Sequence, residues 1–190
     1  EPVVLRFDLA PRFSIPLQLS FNGAPAAGMR VQLRAGDEGS FGPVAILDEK
    51  GECVYEAPFD GACRVFLGVG ERSLPHPEVV HVVPGAELAR REYEATDLEI
   101  ELPADLPRED VMYGTLTGVL ESAGAEVEVK LNRGRLVETT EGSRVVRFQT
   151  VPLGLKNAQL VIASGPTEYR LRAALDQPVE IDAEAGVGRL

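Results

Sequence analysis

The most regular feature of the sequence is an alternation of apolar and polar residues. Residues 29–34 read Met-Arg-Val-Gln-Leu-Arg, and the same alternation recurs at residues 3–9, 15–21, 98–102 and 126–131. Successive side chains of a strand point to opposite faces of its sheet, so each segment is predicted to be a strand with one buried and one solvated face. Such strands are typical of antiparallel sheets.

Residues 44–67 contain the clearest turn chemistry in the chain. They predict three strands separated by two turns, Asp-Glu-Lys-Gly at residues 48–51 and Pro-Phe-Asp-Gly at residues 58–61. Glycine ends each turn because it has no Cβ and adopts positive φ, and proline fixes φ near the value that a turn requires. Asn22-Gly23 is a further turn signal, directly after the strand predicted at residues 15–21.

The chain is predicted to contain two domains, residues 1–103 and 111–190, joined by a linker at residues 104–110. Residues 103–110 hold two prolines and four charged residues, a composition typical of linkers. The second half also repeats the order of the first: residues 126–131 correspond to residues 29–34, and residues 179–182 correspond to residues 98–102. A single larger sandwich or barrel is the alternative.

Short strands every 8–12 residues, with turns between them, predict an all-β protein. Residues 86–93 have fair helical propensity but no complete apolar stripe, so they are predicted to be a single helical turn or part of a strand. We therefore predict two tandem antiparallel β-sandwiches, one in each half.

Residues 28–33, 48–55 and 58–65 together resemble the carboxypeptidase regulatory-like domain. The resemblance rests on Asp48-x-x-Gly51-x-Cys53-x-Tyr55 and on Pro58-x-x-Gly61, and it is weaker in the second half, where Thr-Glu-Gly-Ser at residues 140–143 replaces the first turn. It implies Ig-like, transthyretin-like seven-stranded sandwiches, which often occur in tandem in exported bacterial proteins. These motifs are turns, so they specify a fold and not an activity.

The charge of the chain limits its partners. Its 30 acidic and 19 basic residues give a net charge of -11, which repels nucleic acid and anionic lipid. No apolar run approaches the ~20 residues needed to cross a bilayer, so membrane insertion is not expected. The chain begins at Glu1 without a methionine, and we expect it to be a mature or excised fragment of a longer protein.

Candidate catalytic groups are few. The only histidines are His76 and His81, and a metal site formed by them with Glu78 is disfavoured because neighbouring side chains of one strand point to opposite faces. No serine lies in a Gly-x-Ser-x-Gly turn, and neither cysteine has a histidine nearby in the sequence. The sequence therefore predicts no catalytic, cofactor or metal site.

Cys53 and Cys63 lie on either side of the second turn. They either form a disulfide or are two thiols held separately as small hydrophobic residues. Acidic clusters at residues 37–38, 48–49 and 99–101 could bind calcium, but a solvated acidic face that keeps the protein soluble is favoured.

These observations predict a non-catalytic structural or protein-binding segment of a larger exported or cell-surface protein, with a protein as its partner. The expected location is outside the cytoplasm: periplasmic, secreted or at the cell surface. The alternative is a ligand-binding or catalytic domain whose site is assembled in space. A deep pocket with converging polar groups would favour that alternative.

Overall fold

The computed structural model describes residues 13–36, 38–106, 111–122, 125–140, 142–164, 172–182 and 184–190. Over these ranges the chain forms sixteen strands and no helix, which confirms the all-β prediction. The strands are β1 (Phe13–Phe21), β2 (Ala24–Pro25), β3 (Arg30–Ala35), β4 (Ala45–Ile46), β5 (Glu52–Ala57), β6 (Gly61–Val69), β7 (Arg72–Val82), β8 (Ala89–Tyr93), β9 (Ala95–Glu101), β10 (Val111–Ser122), β11 (Ala125–Glu138), β12 (Arg144–Pro152), β13 (Lys156–Ser164), β14 (Arg172–Pro178), β15 (Glu180–Asp182) and β16 (Val187–Arg189). The strand predicted at residues 3–9 and the last part of the predicted linker, residues 107–110, lie outside the described residues.

The first half is a sandwich of two sheets. One sheet contains β1, β2, β5 and β8, and the other has the order β4-β3-β6-β7. Alternate residues of β1 (Ile15, Leu17 and Leu19) and of β3 (Val31 and Leu33) are buried between the sheets, as the sequence pattern predicts. β8 pairs parallel to β1, so the last five residues of the segment 86–93 form a strand.

The predicted turns of the first half are present. Asn22 and Gly23 both have positive φ and join β1 to β2 in a hairpin. In the turn at residues 48–51, the Asp48 carboxylate accepts hydrogen bonds from the backbone N–H of Lys50 and of Glu52, at 2.9 and 2.8 Å. A Cβ on Gly51 would lie 2.3 Å from the Leu19 carbonyl oxygen, so glycine is required there for close packing as well as for its φ of 74°.

The three strands predicted within residues 44–67 are β4, β5 and β6, but they do not pair with one another. β5 pairs with β1, whereas β4 and β6 both pair with β3 in the opposite sheet. The two turns therefore carry the chain from one sheet to the other.

The second half is one eight-stranded sheet with the order β14-β13-β10-β11-β12-β9-β16-β15. The first part of β11 pairs with β10, and its last four residues pair with β12. The two arms of the sheet share one core, in which Leu116 and Leu160 of one arm are buried together with Ile100 and Phe148 of the other. The sheet thus folds over onto itself.

β9 belongs to the second half, which differs from the predicted boundary after residue 103. It pairs with β12, with Phe148 beside Leu98, and Leu98 is buried in the second core. Leu106, inside the predicted linker, is buried there too. Tyr93 and Ala95 belong to the first core, so the chain passes between the cores near residues 96–97. The alternation of apolar and polar residues predicted that residues 98–102 have a buried face. It did not predict which of the two cores this face belongs to.

Candidate functional site

A cavity among the described residues lies where the two halves meet. It has a volume of about 340 Å³ and is bordered by β7, β8, the end of β10 and the turn between β12 and β13. Its lining combines apolar and acidic side chains with one histidine; it includes Leu74, His76, Pro77, Glu92, Tyr93, Glu94, Leu120, Glu121, Pro152 and Leu153. We call this cavity the seam cleft.

His76 is half-buried at the wall of the seam cleft. Its Nδ1 accepts a hydrogen bond from the Glu78 backbone N–H at 3.1 Å, and its ring packs edge-on against Tyr93 with the centroids 5.3 Å apart. Burial lowers the pKa of His76 and the nearby Arg91 lowers it further, whereas Glu78 and backbone hydrogen bonds oppose the shift. The ring is therefore neutral at pH 7, and one of its nitrogens is already occupied.

Tyr93 is fully buried behind His76. Its hydroxyl donates to the Val65 carbonyl oxygen at 3.1 Å, and burial raises the pKa of Tyr93 well above its usual value. The hydroxyl thus stays protonated and holds β8 against β6 of the facing sheet.

Glu78 joins the two halves beside the cleft. The Ser122 hydroxyl of β10 donates to its carboxylate at 2.7 Å, and Arg91 Nη1 lies 3.9 Å from the other carboxylate oxygen. The pKa of Glu78 is lowered by the hydrogen bond from Ser122 and, to a smaller extent, by Arg91 and His76, while desolvation opposes the shift. Glu78 is therefore an ionised carboxylate engaged in a contact between the halves.

The structure separates the residues considered for a metal site. His76, Glu78 and His81 all lie on β7, but His76 and Glu78 face the seam while His81 is exposed beside Ala62 of β6. Within the described ranges, no group of three or more His, Cys, Asp or Glu side chains is placed to hold a metal ion. No helix in those ranges is long and apolar enough to cross a membrane.

Cys53 and Cys63 are both free thiols in this structure. They lie on β5 and β6, which belong to facing sheets, and Cys63 is fully buried. Burial raises the pKa of each thiol to about 11, with smaller contributions from Asp48 at Cys53 and from Asp60 at Cys63. Neither thiol is thus primed as a nucleophile, and the disulfide between them stays a prediction.

Two described members of the acidic clusters, Asp48 and Glu99, make local contacts. The Asp48 carboxylate is occupied by the backbone of its own turn, and Glu99 forms an ion pair with Arg147 of the neighbouring strand. Asp37 lies outside the described residues.

Sequence reasoning missed one surface, the outer face of the sheet β4-β3-β6-β7. Phe41, Val44 and Ile46 are exposed there, next to Arg30 and Arg34 of β3. The alternation of β3 indicated that the two arginines face outward. It did not indicate that residues 38–44 return to cover the same face.

No protein-family model and no curated protein sequence matches this chain. Among solved structures, it is similar to the Bacillus anthracis TIE protein (13% identity, TM-score 0.34, covering 94% of this chain and 33% of that one). It is also similar to BcpA, the major pilin subunit of Bacillus cereus (12% identity, TM-score 0.33, covering 88% and 67%). A third is the Streptococcal ancillary pilin (13% identity, TM-score 0.29, covering 100% and 66%). The chain spans a third of the first of these proteins and about two thirds of the other two.

Proposed function

We propose that the chain is a non-catalytic structural or protein-binding segment of a larger exported or cell-surface protein, built as tandem transthyretin-like sandwiches. The observation that carries this proposal is that the polar groups at the seam cleft are used to hold the chain together. His76 accepts a backbone hydrogen bond, Tyr93 binds the facing sheet, and Glu78 binds Ser122 of the other half.

Acid–base catalysis needs a group whose pKa lies near the working pH and whose proton is within reach of a substrate. At the seam, the pKa of Glu78 is lowered and that of Tyr93 is raised, so both groups are shifted away from neutral pH. His76 is neutral, with its Nδ1 already bound to the backbone. This arrangement supports a structural role for all three residues.

The connection between the halves supports a structural segment. The end of β12 pairs with the start of β9, with Val151 beside Thr96 and Pro152 beside Ala95. The Leu153 N–H also donates to the Glu94 carbonyl oxygen at 2.9 Å. Backbone hydrogen bonds along a short connection restrict bending between the two cores, which suits a segment that spaces or presents neighbouring parts of a surface protein.

Surface labelling of the source cells tests this proposal. Antibodies raised against the purified chain should label intact cells or the secreted fraction, and protease added to intact cells should remove the signal. A cytoplasmic protein in the same sample serves as the control and should resist the protease. Detection of the chain only after lysis would overturn the proposal.

A small-ligand site in the seam cleft is the second candidate, because its volume lies at the lower end of the range for ligand pockets. A fragment screen followed by NMR tests it through the signals of Leu120, Leu153 and His76. Binding in the micromolar range confined to these signals would favour this candidate. A Leu153→Trp variant, which fills the cleft, should abolish such binding.

A further inference from the structure

Three exposed apolar side chains lie along the outer face of the sheet β4-β3-β6-β7. Phe41, Val44 and Ile46 are 49, 55 and 58% exposed. Ile46 is the direct cross-strand partner of Arg30, and Phe41 bridges to Arg34, so these side chains share the outer face. Clustered exposed apolar side chains mark interaction surfaces more often than scattered ones do.

The aromatic part of this surface is fixed by packing. The ring of Phe41 stands edge-on to Phe66 of β6, with the centroids 5.0 Å apart. The Arg34 guanidinium lies over both rings, 5.7 Å from the centroid of Phe41 and 5.2 Å from that of Phe66. A stacked guanidinium is pre-oriented and retains N–H groups for a carboxylate.

A second arginine extends the surface. Arg30 Nη2 donates to the Gly70 carbonyl oxygen at 2.7 Å, which orients the guanidinium while leaving it further donors. A shallow groove of about 200 Å³ continues from Arg30 and Val44 to Arg72, with Glu71 also in its lining. This local excess of arginine contrasts with the net charge of -11 of the whole chain.

We infer that this surface, formed by Arg30, Arg34, Phe41, Val44, Ile46 and Phe66 and here called the Arg–Phe face, docks an acidic segment of another protein. An apolar side chain of that segment packs on Phe41 and Val44, and its flanking carboxylates pair with Arg30 and Arg34. Aromatic residues and arginine are enriched at the centres of protein interfaces, and arginine binds carboxylates through two parallel hydrogen bonds. A second copy of the chain is disfavoured as the occupant, since a twofold contact through this face would place arginines against arginines.

The inference rests on the proposed function in its protein-binding form. NMR titration of the isotope-labelled chain tests it with three short synthetic peptides as probes. The first alternates glutamate with phenylalanine, the second replaces each glutamate by lysine, and the third replaces each phenylalanine by serine. Only the first should shift the signals of the Arg–Phe face, and added salt should weaken its binding.

Two pairs of variants give matched controls. Arg30→Glu and Ile46→Ser should each weaken binding of the glutamate–phenylalanine peptide about tenfold or more, as expected for central interface residues. Arg90→Glu and Val54→Ser make the same kinds of change on the exposed surface of the other sheet and should leave the affinity unchanged.

Several results would overturn the inference. The lysine peptide could bind as tightly as the glutamate–phenylalanine peptide. The glutamate–phenylalanine peptide could shift NMR signals of another surface alone, or shift none at millimolar concentration. Concentration-dependent shifts of the free chain at this face would assign the face to a second copy instead. Absence of peptide binding, with the chain detected on intact cells or in the secreted fraction, would overturn the docking inference alone. Detection of the chain only after lysis would overturn the proposed function.

Discussion

The Ser122 hydroxyl donates a hydrogen bond to the Glu78 carboxylate at 2.7 Å, and this bond connects β10 of the second half to β7 of the first. Arg91 approaches the other carboxylate oxygen and also donates to the Val79 carbonyl oxygen at 2.8 Å. Residues of three strands thus meet at one carboxylate beside the seam cleft. The relative placement of the two halves should therefore respond to the charge of Glu78.

Ser122→Ala should raise the pKa of Glu78, because the hydrogen bond from Ser122 is the largest cause of its lowering. A carboxyl group with a lowered pKa in the folded state stabilises the fold above its unfolded-state pKa, and this contribution is lost as the pH falls through the folded-state value. The Glu78 side chain is 41% exposed, so the loss at pH 7 should be small, roughly 0.5 kcal/mol.

NMR titration of the Glu78 carboxyl and urea unfolding at pH 7 measure the two effects. Ser73→Ala, at an exposed serine of the same strand, is the control and should change neither quantity. An unchanged pKa of Glu78 in Ser122→Ala would contradict the contact.

Acidification should destabilise the chain through His76. The pKa of His76 is lowered by burial and by Arg91, despite the opposing effect of Glu78, so the unfolded state binds a proton more readily than the folded state. Stability contributed by the neutral ring is present above the unfolded-state pKa of about 6.5 and decreases as the pH falls below it towards the folded-state pKa.

Urea unfolding at a series of pH values between neutral and mildly acidic measures this effect. His76→Asn keeps a hydrogen-bond acceptor near the position of Nδ1 but cannot titrate in this range, so this part of the pH dependence should disappear. His81→Asn leaves His76 in place and should retain it. Identical profiles for His76→Asn and the natural chain would show that the ring does not control stability.

Local features of the fold were predictable, whereas pairing partners were not. The burial of Val31 and Leu33 and the turn at Gly51 follow from residues next to one another in the sequence. β9 belongs to the second core because it pairs with β12, almost fifty residues away. The local sequence pattern does not predict this pairing. The Arg–Phe face was missed for the same reason. The contact between Phe41 and Phe66 depends on the conformation of a loop, which the local sequence pattern does not predict.

Tyr55→Phe should destabilise the first sandwich by about 1–3 kcal/mol, the cost of leaving buried polar groups unsatisfied. The buried Tyr55 hydroxyl of β5 donates to the Pro43 carbonyl oxygen at 2.6 Å and accepts from the Leu33 N–H of the opposite sheet at 3.2 Å. Tyr93→Phe is the comparison. It removes the hydrogen bond from the Tyr93 hydroxyl to the Val65 carbonyl oxygen and should lower the free energy of unfolding less than Tyr55→Phe does. Urea unfolding gives both values, and a larger loss in Tyr93→Phe would reverse the expected order.

Gly134→Ala should destabilise the folded-over sheet of the second half. A Cβ at this position would lie 2.4 Å from Cζ of Phe148 and 2.6 Å from Cγ1 of Val146, inside the shared core. Overpacking of this kind costs about 1–3 kcal/mol. Gly142→Ala, at a φ of 83° with open space around its Cβ, measures the cost of backbone conformation without overpacking. Equal stability of Gly134→Ala and the natural chain would contradict the close approach of β11 to β12.

Both cysteine thiols should react slowly with iodoacetamide in the folded chain. With the pKa raised to about 11, roughly one thiol in a thousand is ionised at pH 8, and the thiolate is the reactive form. Unfolding in urea without a reductant should release both groups, so mass spectrometry should find two adducts, and one adduct in Cys53→Ser. If the unfolded chain is alkylated only after a reductant is added, Cys53 and Cys63 form a disulfide. In that case β5 and β6 must lie closer together at these two residues than this structure shows.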